Sequence, residues 1–235
     1  MAGSEVFGSH DGNEVWRFAL TAGALSANIL NWGAVLQDLR LQGHDAPLVL
    51  GFESFDAYVA DSAYIGAVVG RYANRIRDGR FSLDGREHRV DPDHPETHGL
   101  HGGSGGFSRR LWQAAGHGAD FVTLDLRDPD GTMGFPGTLD VQCTYRLRTP
   151  ATLSLELTAT AEAPTLCNLA QHSYFNLDDG GSGDILDHEL AIAADAFLPV
   201  DEALIPTGQI RPAEGTTLDF QRARKLRMER DGRQF

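Results

Sequence analysis

The feature of this sequence that most restricts its fold is the strict alternation of apolar and polar residues between Leu139 and Leu147. Every second residue there is apolar, and the same alternation recurs over 121–126 and 153–157. A period of two is the repeat of a β-strand with one buried face, whereas an amphipathic helix repeats about every 3.6 residues. The pattern therefore predicts strands at these three places.

Turn signals separate the alternating segments. Asp84-Gly85 lies between two short segments within 80–90, which is typical of a two-residue hairpin loop. The 27 glycines and 10 prolines are spread along the whole chain, as many turns would require. Short strands with frequent turns favour a β-sandwich or a β-barrel. No repeat, low-complexity tract or linker divides the sequence, so we expect a single all-β domain over residues 1–235.

Composition narrows the classes of function. With 235 residues, 41% of them hydrophobic, the chain is long enough to form a substantial core. Its formal net charge of −13 opposes binding to nucleic acid, whose phosphates would be repelled. The one basic run, 222–233, alternates with apolar residues, so we interpret it as a solvated face and not as an anion site. The acidic balance suits a neutral small molecule as the binding partner.

We find no targeting or membrane signal in the sequence. Residues 1–10 lack the basic and apolar stretches of a secretory signal, and no run of 18 apolar residues occurs. Cys143 and Cys167 are too few for a disulfide framework, and Cys143 lies on the apolar phase of a predicted strand. We therefore expect two reduced, buried thiols, no membrane contact and a cytoplasmic location.

Two segments interrupt the alternation, 65–77 and 94–107, and together they are rich in Gly, His and Arg. In the first, Asn74 and Arg75 stand side by side, and an arginine presents a rigid fork of donors suited to sugar hydroxyls or carboxylates. A surface ion pair is the alternative for Arg75. In the second, His101 precedes two glycines that allow the backbone to approach a ligand closely. The alternative for His101 is an exposed loop histidine.

The histidines of the second segment do not form a metal-binding motif. The spacing of His94, His98 and His101 matches no established zinc pattern, and no nearby cysteine completes one. We therefore predict no metal site.

His172 is the strongest candidate for chemistry. It lies in Asn168-Leu-Ala-Gln-His172-Ser-Tyr174-Phe-Asn176, among polar and aromatic neighbours that can fix its tautomer and contact hydroxyls. Histidine titrates near neutral pH, so it is the side chain best suited to donate or accept a proton there. If this segment is a strand, His172, Tyr174 and Asn176 share one face. The alternative is a core histidine satisfied by a backbone carbonyl.

Taken together and in this order, the motifs resemble those of the aldose 1-epimerase family. The segments that carry the resemblance are Gly70-Arg-Tyr-Ala-Asn74-Arg75-Ile, Leu100-His101-Gly-Gly, Asn168 to Leu177, Asp184 to Glu189 and Phe197 to Gly208. The resemblance extends from about Gly33 to Phe220, and the succession of motifs is far more specific than any one of them.

The resemblance implies a fold, an activity and roles for residues. The fold is a large antiparallel β-sandwich with an open cleft, and the activity is interconversion of the α and β anomers of free aldohexoses such as galactose or glucose, without a cofactor. His172 would be the catalytic general acid that protonates the ring oxygen. His101 and Arg75 would hold the sugar with the help of Asn74, and Tyr174 is a further candidate for a sugar contact.

One part of the family's pattern is not found in this sequence. In the family the general base is a glutamate near the C-terminus, and a substrate-binding aspartate lies in a motif that the sequence up to Phe235 does not reach. We expect the sequence to be a fragment of a longer protein with further C-terminal strands. A truncated gene product and a second chain that completes the sandwich are the alternatives.

Two other functions stay open. A non-catalytic sugar-binding module of the same fold would retain His101 and Arg75 without the base. A hexose-6-phosphate 1-epimerase would need additional cationic residues at the cleft. Our prediction is a cofactor-independent aldose 1-epimerase.

Overall fold

Most of the secondary structure in this chain is β-strand. The computed structural model describes residues 3–60, 63–91, 98–227, 229–230 and 233–234. The chain divides into two compact units, Met1–Phe175 and Asn176–Phe235. The single domain over 1–235 stays a prediction.

The first unit begins with a four-stranded antiparallel sheet whose strands follow one another in order. They are β1 (Ser4–His10), β2 (Asn13–Ala22), β3 (Leu25–Leu30) and β4 (Leu36–Leu41). Asp11 and Gly12 form the loop between β1 and β2, and both have positive φ (48° and 77°). This backbone is the one that a two-residue hairpin loop requires, so the local sequence sets the register of the first two strands.

Short elements connect this sheet to the next. They are α1 (Phe55–Ala60), β5 (Val68–Val69), β6 (Arg75–Ile76), a 3₁₀ turn (Arg77–Gly79), β7 (Arg80–Leu83), β8 (Arg86–Arg89), β9 (Gly99–Leu100) and a second 3₁₀ turn (Phe107–Arg109). β7 and β8 form the predicted hairpin, with Asp84 and Gly85 at positive φ in its loop. β6 pairs with β9, which joins the two segments that interrupt the alternation. Among the described residues no helix is long and apolar enough to cross a membrane.

A second four-stranded antiparallel sheet follows. Its strands are β10 (Gln113–His117), β11 (Phe121–Asp128), β12 (Leu139–Arg148) and β13 (Thr152–Ala161), with a 3₁₀ turn (Thr132–Gly134) between β11 and β12. These strands include all three alternating segments of the sequence. On β12 the five apolar residues of the alternation are at most 3% exposed. The prediction of half-buried strands at these positions is confirmed.

The two sheets share one hydrophobic core. Phe18, Leu20 and Ile29 of the first sheet pack in the same cluster as buried residues of the second. The members from the second sheet are Val122, Leu124, Leu126, Leu139, Val141, Cys143, Tyr145 and Leu147. Because successive side chains of a strand point to opposite faces, each sheet contributes one apolar face to this core. The first unit is therefore an antiparallel β-sandwich, and the all-β prediction is confirmed.

The last strand of the first unit, β14 (Ala170–Gln171), pairs with β5. The second unit contains short strands: β15 (Glu189–Leu190), β16 (Ala196–Phe197), β17 (Arg211–Pro212), β18 (Arg224–Lys225), β19 (Glu229–Arg230) and β20 (Arg233–Gln234). They form three two-residue antiparallel ladders, β15 with β18, β16 with β17 and β19 with β20.

Both cysteines are free thiols. Cys143 is fully buried in the sandwich core, and this burial raises the pKa of its thiol. Cys167 is exposed, so the prediction that both thiols are buried is wrong for this residue. It lies in the connection between β13 and β14, where no apolar alternation directs side chains to the core.

Candidate active site

The pairing of β14 with β5 fixes the position of His172. Immediately after β14, the His172 N–H donates to the Ala67 carbonyl (2.8 Å), and the Gly66 N–H donates to the His172 carbonyl (3.1 Å). Both main-chain groups of His172 are therefore used within the fold. The side chain of Gln171 adds a hydrogen bond from its Nε2 to the Gly66 carbonyl (3.1 Å). The backbone that carries His172 is held on both sides, which fixes the point from which its side chain extends.

The ladder between β6 and β9 brings Asn74 and His101 together. The His101 N–H donates to the Asn74 carbonyl (3.0 Å), and the Asn74 N–H donates to Nδ1 of the His101 ring (3.0 Å). Both residues have positive φ, 68° at Asn74 and 51° at His101. This region of backbone conformation is uncommon for residues other than glycine and occurs preferentially at functional sites. The two hydrogen bonds hold both residues in it.

Gly102 allows the loop that follows His101 to approach the loop of Gly70. Its φ is +89°, and a Cβ atom at Gly102 would lie 2.0 Å from the carbonyl oxygen of Gly70. The Phe107 N–H also donates to that carbonyl (3.1 Å). A glycine is thus required at this close approach of two backbones.

Two imidazoles and two tyrosines form an aromatic cluster at this place. The rings of His101 and His172 are perpendicular (88°), with centroids 5.1 Å apart. The Tyr174 ring lies 5.3 Å from that of His172. The Tyr64 ring lies 4.7 Å from His101 and 5.8 Å from His172. We call Tyr64, His101, His172 and Tyr174 the imidazole cluster.

Electrostatics keep His101 neutral over the physiological pH range. Partial burial, reinforced by the nearby His172 and Arg75, lowers the pKa of His101 from 6.5 to about 4. Because Nδ1 accepts the Asn74 N–H, the proton of the neutral ring is on Nε2. His101 is therefore a fixed, uncharged hydrogen-bond donor.

His172 offers its ring to a ligand. Within the part of the chain that the structure describes, neither ring nitrogen of His172 has a hydrogen-bond partner, and no carboxylate forms an ion pair with His101 or His172. The alternative of a core histidine satisfied by a backbone carbonyl is thus not what the described residues show. A histidine of this kind can exchange a proton with a bound polar molecule.

Asn74 and Arg75 lie at the edge of the cluster. Asn74 is exposed, Arg75 is half-buried, and Arg75 Nη1 lies 3.5 Å from Asn74 Oδ1. Over residues 3–60, 63–91 and 98–227 no carboxylate lies within ion-pair distance of Arg75, so the surface ion pair is not present there. The guanidinium is available to a ligand.

The structure brings the sequence-predicted site residues of the first unit together, with one correction. The Tyr174 hydroxyl donates to the Ala63 carbonyl (3.0 Å), and its ring faces His172. The strand, however, ends at Gln171, so the condition for a strand face shared by His172, Tyr174 and Asn176 is not met. Asn176 instead accepts the Asp178 and Asp179 N–H groups through Oδ1, in a turn.

The described residues contain no group of three His, Cys, Asp or Glu side chains that could hold a metal ion. His98 Nδ1 accepts the Asp78 N–H (2.8 Å), and His94 lies outside the described residues. The absence of a metal site stays a prediction.

Sequence reasoning missed two residues that shape this site. Tyr64 is a single aromatic residue in an irregular segment, and nothing local to it indicates contact with histidines 37 and 108 positions away. Arg71 belongs to the motif that includes Asn74 and Arg75, and its place directly after the apolar run 65–70 is a signal that it is buried. Its guanidinium is fully enclosed and donates to Asp128 through Nε (2.9 Å) and Nη2 (2.6 Å).

The fold and the cluster define a class of protein: an antiparallel β-sandwich that carries, on its loops, paired imidazoles and an arginine. Comparison with known proteins then gives the family. The family model for aldose 1-epimerase matches residues 17–232, so the chain belongs to the aldose 1-epimerase family.

Relatives and solved structures agree with this assignment. The chain is 44% identical to galactose mutarotase of Rattus norvegicus, over 94% of this chain and 65% of the relative. It is 37% identical to aldose 1-epimerase of Escherichia coli (strain K12), over 86% of this chain and 58% of the relative. A crystal structure of an aldose epimerase homologue from C. elegans superimposes with a TM-score of 0.84 at 34% identity, covering 89% of this chain and 65% of that one. The chain thus spans about two thirds or less of the length of these relatives.

Proposed function

We propose that this chain carries the acid and sugar-binding half of an aldose 1-epimerase, which interconverts the α and β anomers of free aldohexoses such as galactose or glucose. The observation that supports it most directly is the perpendicular pair of imidazoles, one neutral and fixed as a donor, the other with neither ring nitrogen hydrogen-bonded to the described residues. Relatives that share the family are named for this activity.

The residues divide into one that moves a proton and several that hold the sugar. His172 is the general acid that protonates the ring oxygen of the hexose. His101 donates from Nε2 to a sugar oxygen, and Arg75 and Asn74 contact hydroxyls from the edge of the cluster. The Tyr174 ring packs against the His172 ring. All of these groups suit a neutral ligand.

The reaction follows from proton transfer alone. As His172 protonates the ring oxygen, a base removes the proton of the C1 hydroxyl, the bond between C1 and the ring oxygen breaks, and an open-chain aldehyde forms. Rotation about the C1–C2 bond presents the other face of the aldehyde, and reversal of the proton transfers closes the ring as the other anomer. Positioned acids and bases each accelerate such transfers by roughly 10²–10⁴-fold. No step needs a cofactor or a metal.

The general base is the part of the machinery that we assign outside the described residues. The family resemblance assigns this role to a glutamate of a C-terminal motif that is not found in residues 1–235. We also propose a cytoplasmic location, in keeping with two cysteines that are free thiols.

Polarimetry of freshly dissolved α-D-galactose tests the proposal, with calorimetry as the measurement of sugar binding. We expect the chain to bind galactose, and any acceleration of mutarotation over buffer to be lost in His172→Asn. His88→Asn is the matched control, since His88 lies on the β7–β8 hairpin, stacked on Phe81. Binding without acceleration would mean that the base is supplied from outside this chain.

Two results contradict the proposal. Turnover that is the same in His172→Asn as in the unmodified chain removes His172 from the acid role. The absence of both galactose binding and acceleration removes the sugar site.

A further inference from the structure

Tyr64 is the one residue of the imidazole cluster to which the family resemblance gave no role. Its ring contacts His101 edge to face, with centroids 4.7 Å apart and planes at 68°, and it also lies 5.8 Å from His172. The Tyr64–His101 distance is shorter than the 5.1 Å between the two imidazoles. Among the described residues, Tyr64 is thus the aromatic ring nearest to His101, and it lies against both histidines.

The backbone at Tyr64 is held in an unfavourable conformation. Its φ is +59°, which is a genuine outlier for a bulky side chain. The Ala67 N–H donates to the Tyr64 carbonyl (3.1 Å), with Gly66 at φ +68° in the third position of the turn. The Tyr174 hydroxyl holds the preceding carbonyl, that of Ala63. Strained residues persist where the surrounding structure fixes them, and they concentrate at functional sites.

The hydrogen bonds that fix this turn come from the segment that carries His172. The Gly66 N–H donates to the His172 carbonyl, and the Gln171 side chain donates to the Gly66 carbonyl. The Leu36 N–H, at the start of β4, donates to the same Gly66 carbonyl (2.8 Å). The turn that carries Tyr64 is therefore hydrogen-bonded to the His172 backbone through Gly66, and the Tyr64 ring packs on His101.

We propose that Tyr64 is a positioning residue that sets the mutual orientation of His101 and His172 and excludes water from the His101 ring. The importance of Tyr64 for catalysis rests on the proposed function. Its effect on the orientation of the two histidines and on the hydration of the His101 ring does not. Within the described residues the His101 ring has one hydrogen bond, at Nδ1, and a ring with one hydrogen bond can tilt about it. An aromatic ring packed edge to face against the imidazole prevents this tilting.

The electrostatics of His101 agree with this role. The largest cause of its lowered pKa is burial, and the charged or titratable groups that act on it are His172 and Arg75. In the part of the chain that the structure describes, the Tyr64 ring is the one that lies closest to the His101 ring. Loss of that ring would admit water to the imidazole and stabilise its protonated form.

NMR titration of the His101 ring in the full 235-residue chain tests the proposal without any need for activity. The variant is Tyr64→Gly, because a positive φ suits glycine and the substitution relieves the backbone while it removes the ring. We expect the pKa of His101 to rise from about 4 by roughly one unit or more toward its ordinary 6.5, and the nuclear Overhauser contacts between the His101 and His172 rings to weaken. Tyr64→Phe keeps the ring and should retain the original titration and contacts.

The matched control is Phe81→Ala, which removes an aromatic ring from another histidine, His88, on the β7–β8 hairpin. It should leave the titration of His101 unchanged. An unchanged His101 titration and unchanged ring contacts in Tyr64→Gly would overturn the proposal, as would a shift of equal size in Phe81→Ala. Galactose binding by the unmodified chain is measured separately, so failure of the proposed function and failure of the role of Tyr64 are distinguishable.

Discussion

The guanidinium of Arg71 is completely buried and donates two hydrogen bonds, at 2.9 and 2.6 Å, to the carboxylate of Asp128, which is 2% exposed. Arg71 also donates through Nη1 to the carbonyls of Pro136 and Gly137, at 3.0 and 2.7 Å. Arg71 leads into the segment of Asn74 and Arg75, and Asp128 ends β11. The pair therefore joins the candidate site to the second sheet of the sandwich.

Replacement of Arg71 should be strongly destabilising. In Arg71→Met the Asp128 carboxylate stays buried, and Arg110 Nη1 (2.9 Å) is its one remaining charged partner among the described residues. Breaking a buried pair from one side costs about 3–5 kcal/mol in the free energy of unfolding. Urea denaturation measures this loss in the free energy of unfolding. Arg127→Met is the control, because the ion pairs of Arg127 with Asp140 and Glu162 are exposed and its midpoint should hardly change. Equal midpoint shifts in the two variants would contradict the prediction.

The pH dependence of stability should reflect His101. Its folded-state pKa of about 4 lies below the ordinary value of 6.5, so between these values the unfolded chain binds a proton that the folded chain does not. The free energy of unfolding therefore falls as the pH is lowered from about 6.5 to about 4, and His101 adds no slope above that range. Thermal or urea unfolding at a series of pH values measures the slope. Subtraction of the same series for His101→Gln isolates the contribution of this residue, and identical slopes would refute it.

A methyl group at Gly102 should disrupt the loop of His101. Gly102→Ala combines a positive φ with a Cβ atom 2.0 Å from the Gly70 carbonyl oxygen, and we expect a loss of about 2–5 kcal/mol from the two effects together. Gly85→Ala is the control, because its φ is also positive (+76°) but nothing lies within 4 Å of its added Cβ. Its cost should be limited to about 1–2 kcal/mol. Equal losses would show that the close approach to Gly70 contributes nothing.

The hydroxyl of Tyr145 should contribute to the sandwich. It donates to the Ala34 carbonyl (2.8 Å) from a fully buried position, so Tyr145→Phe leaves that carbonyl without this donor and should cost about 1–3 kcal/mol. Tyr174→Phe removes a similar bond, to Ala63, at a side chain that is 39% exposed. At this exposed position water replaces the lost hydroxyl as the partner of the Ala63 carbonyl. Tyr174→Phe should therefore lower the free energy of unfolding by less than Tyr145→Phe does. The order of the two urea midpoints decides the prediction.

The strands of the sandwich could be predicted because their signal is local. The alternation over 139–147 directs five side chains to one face, and Asp84-Gly85 defines a hairpin loop, so neither needs information from elsewhere in the chain. The face shared by His172, Tyr174 and Asn176 depended on a strand over these residues, and the structure has no strand there. Only Ala170 and Gln171 pair with β5, and a short ladder leaves no period to detect.

The sequence could predict which residues belong to the candidate site, but not how they are arranged. Family resemblance assigned roles to His101 and His172, which are 71 positions apart, but not the perpendicular contact of their rings. The proximity of Tyr64 depends on a strained turn held by hydrogen bonds from two other segments. Such contacts arise from tertiary structure, and a single sequence contains no pattern that records them.

The hydrogen bond that fixes the tautomer of His101 comes from the main chain of Asn74 and not from its side chain. The tautomer of His101 should therefore stay the same when residue 74 is replaced, provided that the new residue accepts a positive φ. Glycine and aspartate meet that condition. Position 74 is therefore a place where natural drift or directed evolution can change the side chain at the edge of the imidazole cluster while the proton on the neighbouring histidine stays where it is.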